Sequence, residues 1–162
     1  MIVNGECLLQ AAPIKNMLGT KERHNGVSHG LVEAGYDIRI KQSIEFKEGY
    51  AIRWDGLQSQ SLKGRFVLAS AMEEFHVPNN LVGVVHDKST WARKGLSVFN
   101  TVIEPGWKGF LTLELVYHGS DELMIPAGTG IAQVVFHRLE LPAAYSGKYQ
   151  NQEDRPVAAI AG

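Results

Sequence analysis

The sequence predicts an all-β domain, a sandwich or barrel with only a few short helices. Strand-like runs are short and numerous, turn signals separate them, and helical periodicity is nearly absent. The chain has 162 residues, which is the size of one domain. Residues 1–142 are predicted to form that domain. Residues 143–162 form a tail, polar and then small and apolar, that is either disordered or a lid ordered over a ligand.

The elements can be placed in order along the chain. A short helix begins near Gly5 and ends near Pro13, and the glycine-rich stretch 19–30 is predicted to be a loop. Alternating apolar and polar residues at 36–40 predict a half-buried strand. A second short helix is predicted at 89–94, where Ser89 can cap it. Further strands are predicted at 51–54, 66–70, 81–85, 96–99, 111–116 and 131–136.

Composition excludes several classes of protein. The net charge is −1 and the basic residues are scattered, so no nucleic-acid-binding surface is expected. Cys7 is the only cysteine and the six histidines have no metal-ligand spacing, which argues against a disulfide and a catalytic zinc. We expect neither a signal peptide nor a membrane helix, and a cytoplasmic location is predicted.

A cation and two hydroxyls precede the second predicted helix, at Lys88, Ser89 and Thr90. Arg93 lies four residues after Ser89, on the same helical face. Hydroxyls, cations and helix N-terminal amides suit a phosphate group. The alternative is an ordinary helix cap beside a solvated lysine and an exposed arginine.

Two carboxylates follow in the next 25 residues. Alternation places Glu114 beside Thr112 on the strand face opposite three leucines. Glu114 can face solvent, as is common on antiparallel sheets, or line a closed pocket where burial raises its pKa for proton transfer. Glu104 begins a tight turn and could bind a sugar hydroxyl or position a water molecule.

Seven segments together resemble the dCTP deaminase and dUTPase superfamily, and more closely its dCTP deaminase branch. Residues 87–96, DKSTWARKGL, resemble the motif R-S-S-x-A-R-x-G-L, and residues 103–109, IEPGWKG, resemble I-D-P-G-[FW]-x-G. The short length also fits a compact, phage-type member. The other matching segments lie in the correct order at 34–39, 68–78, 113–114, 126–136 and 145–152.

This resemblance implies a distorted jelly-roll subunit of the dUTPase-like type, assembled as a homotrimer with active sites between subunits. It implies deamination of dCTP, or a related deoxycytidine nucleotide, to dUTP and ammonia. Some conversion of the dUTP to dUMP is a secondary hypothesis. Mg²⁺ would accompany the triphosphate without protein ligands, and no zinc would take part.

The resemblance also implies a role for each matching residue. Glu114 would move protons between water, the cytosine ring and the departing ammonia, while Arg93 and Thr90 would lie beside the water and the base. The residues implied to bind the substrate, largely through its phosphates, are Lys88, Ser89, Glu104, Gln133, Tyr145, Lys148 and Gln152, the last three from the tail.

Two departures from the family pattern bear on the substrate. The hairpin at 97–103, which reads the pyrimidine in the family, is about two residues shorter here, so a modified or different pyrimidine is a hypothesis. Glu104 replaces an aspartate, and moving a carboxylate by about 1 Å can cost on the order of 10²-fold in rate, so we expect ammonia release to exceed pyrophosphate release. The alternatives are a dUTPase or related pyrophosphatase, and a nucleotide-binding regulator without turnover.

Overall fold

The protein is described by a computed structural model that covers all residues 1–162. It contains two short helices, α1 (Gly5–Ala11) and α2 (Ser89–Ala92), and neither is long and apolar enough to cross a membrane. The strands are β1 (Ile2–Val3), β2 (Lys21–His24), β3 (Val27–Leu31), β4 (Tyr36–Arg39), β5 (Ser43–Lys47), β6 (Tyr50–Asp55), β7 (Gln58–Lys63), β8 (Phe66–His76), β9 (Leu81–Asp87), β10 (Leu96–Val98), β11 (Val102–Ile103), β12 (Lys108–Tyr117), β13 (Leu123–Ile125) and β14 (Gly130–Arg138).

These strands form three antiparallel sheets. The largest has the order β11-β9-β14-β4-β3-β2, with β1 also paired to β14. A second sheet has the order β10-β12-β8, and a third has the order β13-β5-β6-β7. The β-rich class predicted from the sequence is therefore confirmed.

One continuous core of 32 buried apolar residues joins the three sheets. On β12 the predicted alternation is observed at Leu113 and Leu115, which are buried on the core side, whereas Leu111 lies at a register shift and also borders the cavity on the opposite side. The opposite face of β12 carries Thr112 and Glu114. Packing one face of β12 into the core thus presents the other face to the candidate site.

The prediction of a loop at 19–30 is wrong, because β2 and β3 form a hairpin there. Its turn is Asn25-Gly26, with φ of 51° and 75°, the backbone that two-residue hairpin turns require. The strands β5, β7 and β13 were also not predicted. All but one residue of β7 are exposed, so this edge strand lacks the apolar alternation that identifies a half-buried strand.

The second predicted helix is shorter than expected and is not capped by Ser89. It ends at Ala92, Lys88 holds the N-cap position, and no side chain there caps the helix. Ser89 is instead the first helical residue, so its hydroxyl is not used by the helix.

The tail 143–162 lies against β12 and the turn that precedes it. Trp107 Nε1 donates to the carbonyl of Tyr149 at 2.6 Å, and Gln152 pairs in parallel with Gly109. Gly109 has φ of +135°, and a Cβ added there would lie 2.5 Å from the Gln152 amide nitrogen. A glycine at this position therefore lets the tail approach the strand.

Candidate active site

A cavity of about 480 Å³ opens over the face of β12 that Glu114 shares with Thr112. Ten of its 15 lining residues are hydrophobic, so a charge inside it is poorly solvated. We call this cavity the Glu114 pocket. Its walls come from β8, the 101–107 segment, β12 and the tail, and they include Phe66, Leu68, Thr101, Glu104, Trp107, Tyr145, Gln152 and Val157.

Glu114 is placed in the pocket by strand geometry. It is directly opposite Leu68 in the β12–β8 pair, and its side chain is partly buried. No side chain hydrogen-bonds to its carboxyl group. Burial is the larger effect and raises the pKa of Glu114 above 4.5. A hydrogen bond from the Glu114 backbone has a smaller, opposite effect on the pKa. A carboxylate with a raised pKa accepts a proton more readily than an ordinary carboxylate, and its protonated form can then deliver that proton.

Residues 98–103 close one side of the pocket, but the hairpin expected at 97–103 is not formed, because β10 pairs with β12 and β11 pairs with β9 in a different sheet. The Phe99 amide donates to the carbonyl of Glu114 at 3.1 Å, and the Thr101 amide donates to the carbonyl of Phe99 at 2.9 Å. Asn100 is held by a 2.7 Å bond from its side-chain amide to the carbonyl of Val85. Thr101, Val102 and Ile103 line the pocket, so this segment supplies one hydroxyl and two apolar side chains to it.

The tail residues predicted to bind phosphate have partners within the chain. Gln152 Nε2 donates to Thr112 Oγ1 at 2.6 Å and to the carbonyl of Phe110 at 3.0 Å. The Lys148 ammonium donates to the carbonyl of Ile160. The Tyr145 hydroxyl accepts the Tyr149 amide at 3.2 Å. A nucleotide would have to replace some of these bonds to engage the tail.

Ser89, Thr90 and Arg93 form a second group, which we call the α2 cluster. All three side chains are exposed, and none has a hydrogen-bond partner or lines the Glu114 pocket. Gln133, on β14, also lies outside the pocket. One chain thus brings Glu114, Glu104, Tyr145 and Gln152 together and leaves the α2 cluster elsewhere.

Lys88 differs from the residues that follow it. Its ammonium contacts the carboxylate of Asp37, on β4, and donates to Ser28 Oγ at 2.9 Å. The side chains of Lys88 and Asp37 are only 10% and 5% exposed. The solvated lysine that was the alternative to a phosphate site is therefore not observed.

Several pocket residues were not found from the sequence. Phe66 and Leu68 reach the pocket because β8 pairs with β12, and that register is not visible in a single sequence. Asp37, the partner of Lys88 outside the pocket, was predicted only as part of a strand. Trp107 and Tyr149 lie in matching segments, which is the one signal that could have indicated them.

Comparison with known proteins now identifies the family. A sequence profile described as dCTP deaminase-like matches residues 51–139, more than half of the chain. The dCTP deaminase of Herpetosiphon aurantiacus is 38% identical over 78% of this chain and 79% of that protein. The dCTP deaminase of Protochlamydia amoebophila is 35% identical over 78% of this chain and 77% of that protein.

The chain belongs to the dCTP deaminase family. Solved structures agree at the level of the fold. The EIAV dUTPase aligns with a TM-score of 0.53 and 18% identity, over 86% of this chain and 93% of that one. A mutant dUTPase from a Staphylococcus aureus phage, phi11, described with a structural Mg(II) ion, aligns with a TM-score of 0.54 and 15% identity, over 83% and 92%. The resemblance predicted from the motifs is therefore confirmed, as is the dUTPase-like fold.

Proposed function

We propose that this member of the dCTP deaminase family hydrolyses dCTP, or a closely related deoxycytidine nucleotide, to the uracil nucleotide and ammonia. The observation that carries the proposal is a partly buried glutamate, Glu114, in a cavity whose walls are mostly apolar. A cytoplasmic location fits such a reaction on the nucleotide pool and stays a prediction.

The chemistry needs a proton donor and a proton acceptor at the same carbon. C4 of cytosine is a poor electrophile, so the adjacent ring nitrogen must gain a proton while water loses one. Ionised Glu114 would take the proton from water and deliver it to that nitrogen as the water oxygen bonds to C4. It would then pass a proton from the new hydroxyl to the amino group, ammonia would leave, and the C4 carbonyl would form.

The α2 cluster suits the other part of the substrate. In the proposal Ser89 binds phosphate, Thr90 lies by the water and base, and Arg93 stabilises developing charge. These exposed side chains lie outside the Glu114 pocket of their own chain. We therefore propose that a second copy, in a homotrimer, brings its α2 cluster to the pocket.

The triphosphate would carry its own cation. No group of three or more His, Cys, Asp or Glu side chains is arranged to hold a metal ion. Mg²⁺ would accordingly enter as part of the substrate complex. Gln133, Tyr145, Lys148 and Gln152 are proposed to hold the phosphates, the last three after the tail exchanges its internal bonds.

A second activity, conversion of the product to dUMP and pyrophosphate, is supported by the position of Glu104. This carboxylate lines the same cavity as Glu114, so both could act on one nucleotide. Glu104 has a longer side chain than the aspartate usual in the family. We therefore propose that pyrophosphate release is slower than deamination.

Incubation with dCTP and Mg²⁺, followed by separation of the nucleotides, tests these assignments. Ammonia with dUTP supports deamination, and ammonia with dUMP supports the two-step reaction. Formation of dCMP without ammonia would contradict deamination and favour a pyrophosphatase. Tight nucleotide binding without any product would favour a regulator.

Mixed oligomers test the shared site. Glu114→Gln and Arg93→Ala should each be inactive alone, whereas random reassembly of the two should restore about a quarter of the sites, since an intact pocket then meets an intact α2 cluster. Glu114→Gln mixed with the double variant Glu114→Gln/Arg93→Ala supplies no intact pocket and serves as the control. Absence of any recovery from the first mixture would contradict sites between subunits.

A further inference from the structure

Lys88 occupies the first position of the motif that carries the α2 cluster, but its side chain points to a different place. Its ammonium lies between the Asp37 carboxylate and Ser28 Oγ, and Ser28 Oγ also donates to Asp37 Oδ2 at 3.3 Å. These groups belong to β3 and β4, inside the large sheet. The positive charge of Lys88 is therefore already neutralised within the chain.

Moving the Lys88 ammonium to a phosphate would be unfavourable. Asp37 is almost fully buried, and losing its partner would leave an uncompensated charge in a poorly solvated position. The other side-chain hydrogen-bond partner of Asp37 is the Ser28 hydroxyl, which cannot neutralise that charge. The free energy gained from a phosphate contact by Lys88 would thus be offset by the cost of leaving the buried Asp37 carboxylate without its partner.

The Lys88 backbone shows what the ion pair holds in place. The carbonyl of Lys88 accepts the amides of Trp91 and Ala92, both at 3.0 Å, and so begins α2. Trp91 Nε1 donates to the carbonyl of Gly130 at 2.7 Å, and its ring is buried. The four-residue helix is therefore attached to β4 through Lys88 and to β14 through Trp91.

Such anchoring is needed because α2 is too short to be stable by itself. At position 130 of β14, the close approach of β3 requires a glycine, and Lys88 only makes an ordinary van der Waals contact there. A Cβ at Gly130 would lie 2.0 Å from the carbonyl oxygen of Ser28 and 3.5 Å from Cε of Lys88. The lysine stem passes beside a glycine on its way to Asp37.

We propose that Lys88 is a positioning residue and not a phosphate ligand. With Asp37 and Trp91 it fixes the start of α2, so that Ser89 and Thr90 are presented to the nucleotide in one orientation. The inference rests on the proposed function, since it takes the α2 cluster to act on the substrate. It replaces the phosphate-binding role that the family motif implies for this position.

A double-mutant cycle separates the two roles. Lys88→Met and Asp37→Asn should each raise KM for dCTP by about tenfold or more, although Asp37 is not assigned to the substrate. Lys88→Met/Asp37→Asn removes both buried charges and should recover KM to within about threefold of wild type. A phosphate ligand predicts instead that Asp37→Asn has little effect, and that the double variant is as poor as Lys88→Met.

KM is the readout because unfolding alone lowers only the apparent kcat. Assays are run well below the Tm of each variant, measured in the same buffer. If Lys88→Met does not fold, Trp91→Phe tests the second anchor, since it keeps a buried ring and loses only the N–H group. It should raise KM several-fold, and an unchanged KM would overturn the anchoring role.

Failure of this inference can be distinguished from failure of the proposed function. A wild-type protein that releases no ammonia from dCTP would contradict the proposed function. A wild-type protein that deaminates dCTP, with a double variant no better than Lys88→Met, would overturn only the positioning role.

Discussion

The Glu114 pocket and the α2 cluster come from one stretch of chain, residues 87–114, but have opposite environments. Glu114 lies among apolar side chains and its pKa is raised by burial. Ser89, Thr90 and Arg93 are exposed and have no partners. A group that must gain and lose a proton benefits from a poorly solvated position, whereas groups that bind a charged ligand can stay solvated until it arrives. The difference supports the proposed division, with proton chemistry at Glu114 and substrate binding at the α2 cluster.

The largest effect should come from Glu114→Gln. Removing a general acid and base is expected to lower kcat by about 10²–10⁴-fold, measured as ammonia released from dCTP. Glu140→Gln, at an exposed position outside the pocket, is the matched control. Retention of more than a tenth of wild-type kcat would show that the pocket does not carry the proton chemistry.

The same variant should not be less stable at pH 7. The folded-state pKa of Glu114 is raised, so folding favours the protonated form and the ionised carboxylate costs stability above the unfolded-state pKa. Replacing it with a neutral amide removes that cost. The Tm of Glu114→Gln at pH 7 should therefore equal or exceed that of wild type, and a clear drop would argue for a structural role.

A smaller effect, on KM, is expected from Ser89→Ala. Hydrogen bonds to charged groups contribute roughly 1.5–3 kcal/mol, so KM for dCTP should rise about 10- to 100-fold while kcat changes less. Ser120→Ala, also an exposed serine and outside the pocket, is the control. A loss in kcat equal to that of Glu114→Gln would remove the distinction between the two regions.

The pH profile sharpens the assignment of Glu114. Protonated Glu114 cannot accept a proton from water, so kcat/KM should fall as the pH drops through its pKa. Because burial raises that pKa, the midpoint of the acid limb should lie above 4.5. The limb should remain in Ser89→Ala. A midpoint at or below 4.5 would indicate that another group controls the reaction.

The smallest change should follow loss of one tail contact. Trp107→Phe removes the 2.6 Å bond to the carbonyl of Tyr149, worth about 1 kcal/mol, and KM should rise about fivefold. Trp54→Phe is a matched control, because it removes a 2.9 Å indole bond to Glu45 outside the pocket. Equal effects of the two variants would mean that the tail does not contribute to binding.

The sequence predicted the local features of this molecule better than the long-range ones. The alternation of Leu113, Glu114 and Leu115 and the start of a short helix near Ser89 are properties of neighbouring residues, and both were predicted, although the helix is shorter than expected and Ser89 does not cap it. The β2–β3 hairpin was missed although Asn25-Gly26 is a strong turn signal, because the flanking polar residues suggested a loop. The exposed edge strand β7 gave no apolar pattern at all.

In the candidate site, too, local features were predicted from the sequence and long-range contacts were not. Glu114 and Ser89 could be identified from motifs, but their separation into two regions depends on strand pairing across the fold. The side chain of Lys88 is another example, since its partner Asp37 is 51 residues away in the chain. Such contacts arise from packing, and a single sequence does not record them.

At Gly109 the side chain is a single hydrogen atom, and this small size allows the C-terminal segment to approach β12 at Gln152. A methyl group at position 109 would fall 2.5 Å from a backbone nitrogen and would also strain a backbone with φ of +135°. An alanine there would displace the segment around Gln152 and with it the tail residues that line the cavity, such as Tyr149 and Val157, while leaving Glu114 itself unchanged. In the proposed reaction, residue 109 would therefore control how closely the tail covers the base, and Glu114 would control the proton transfer.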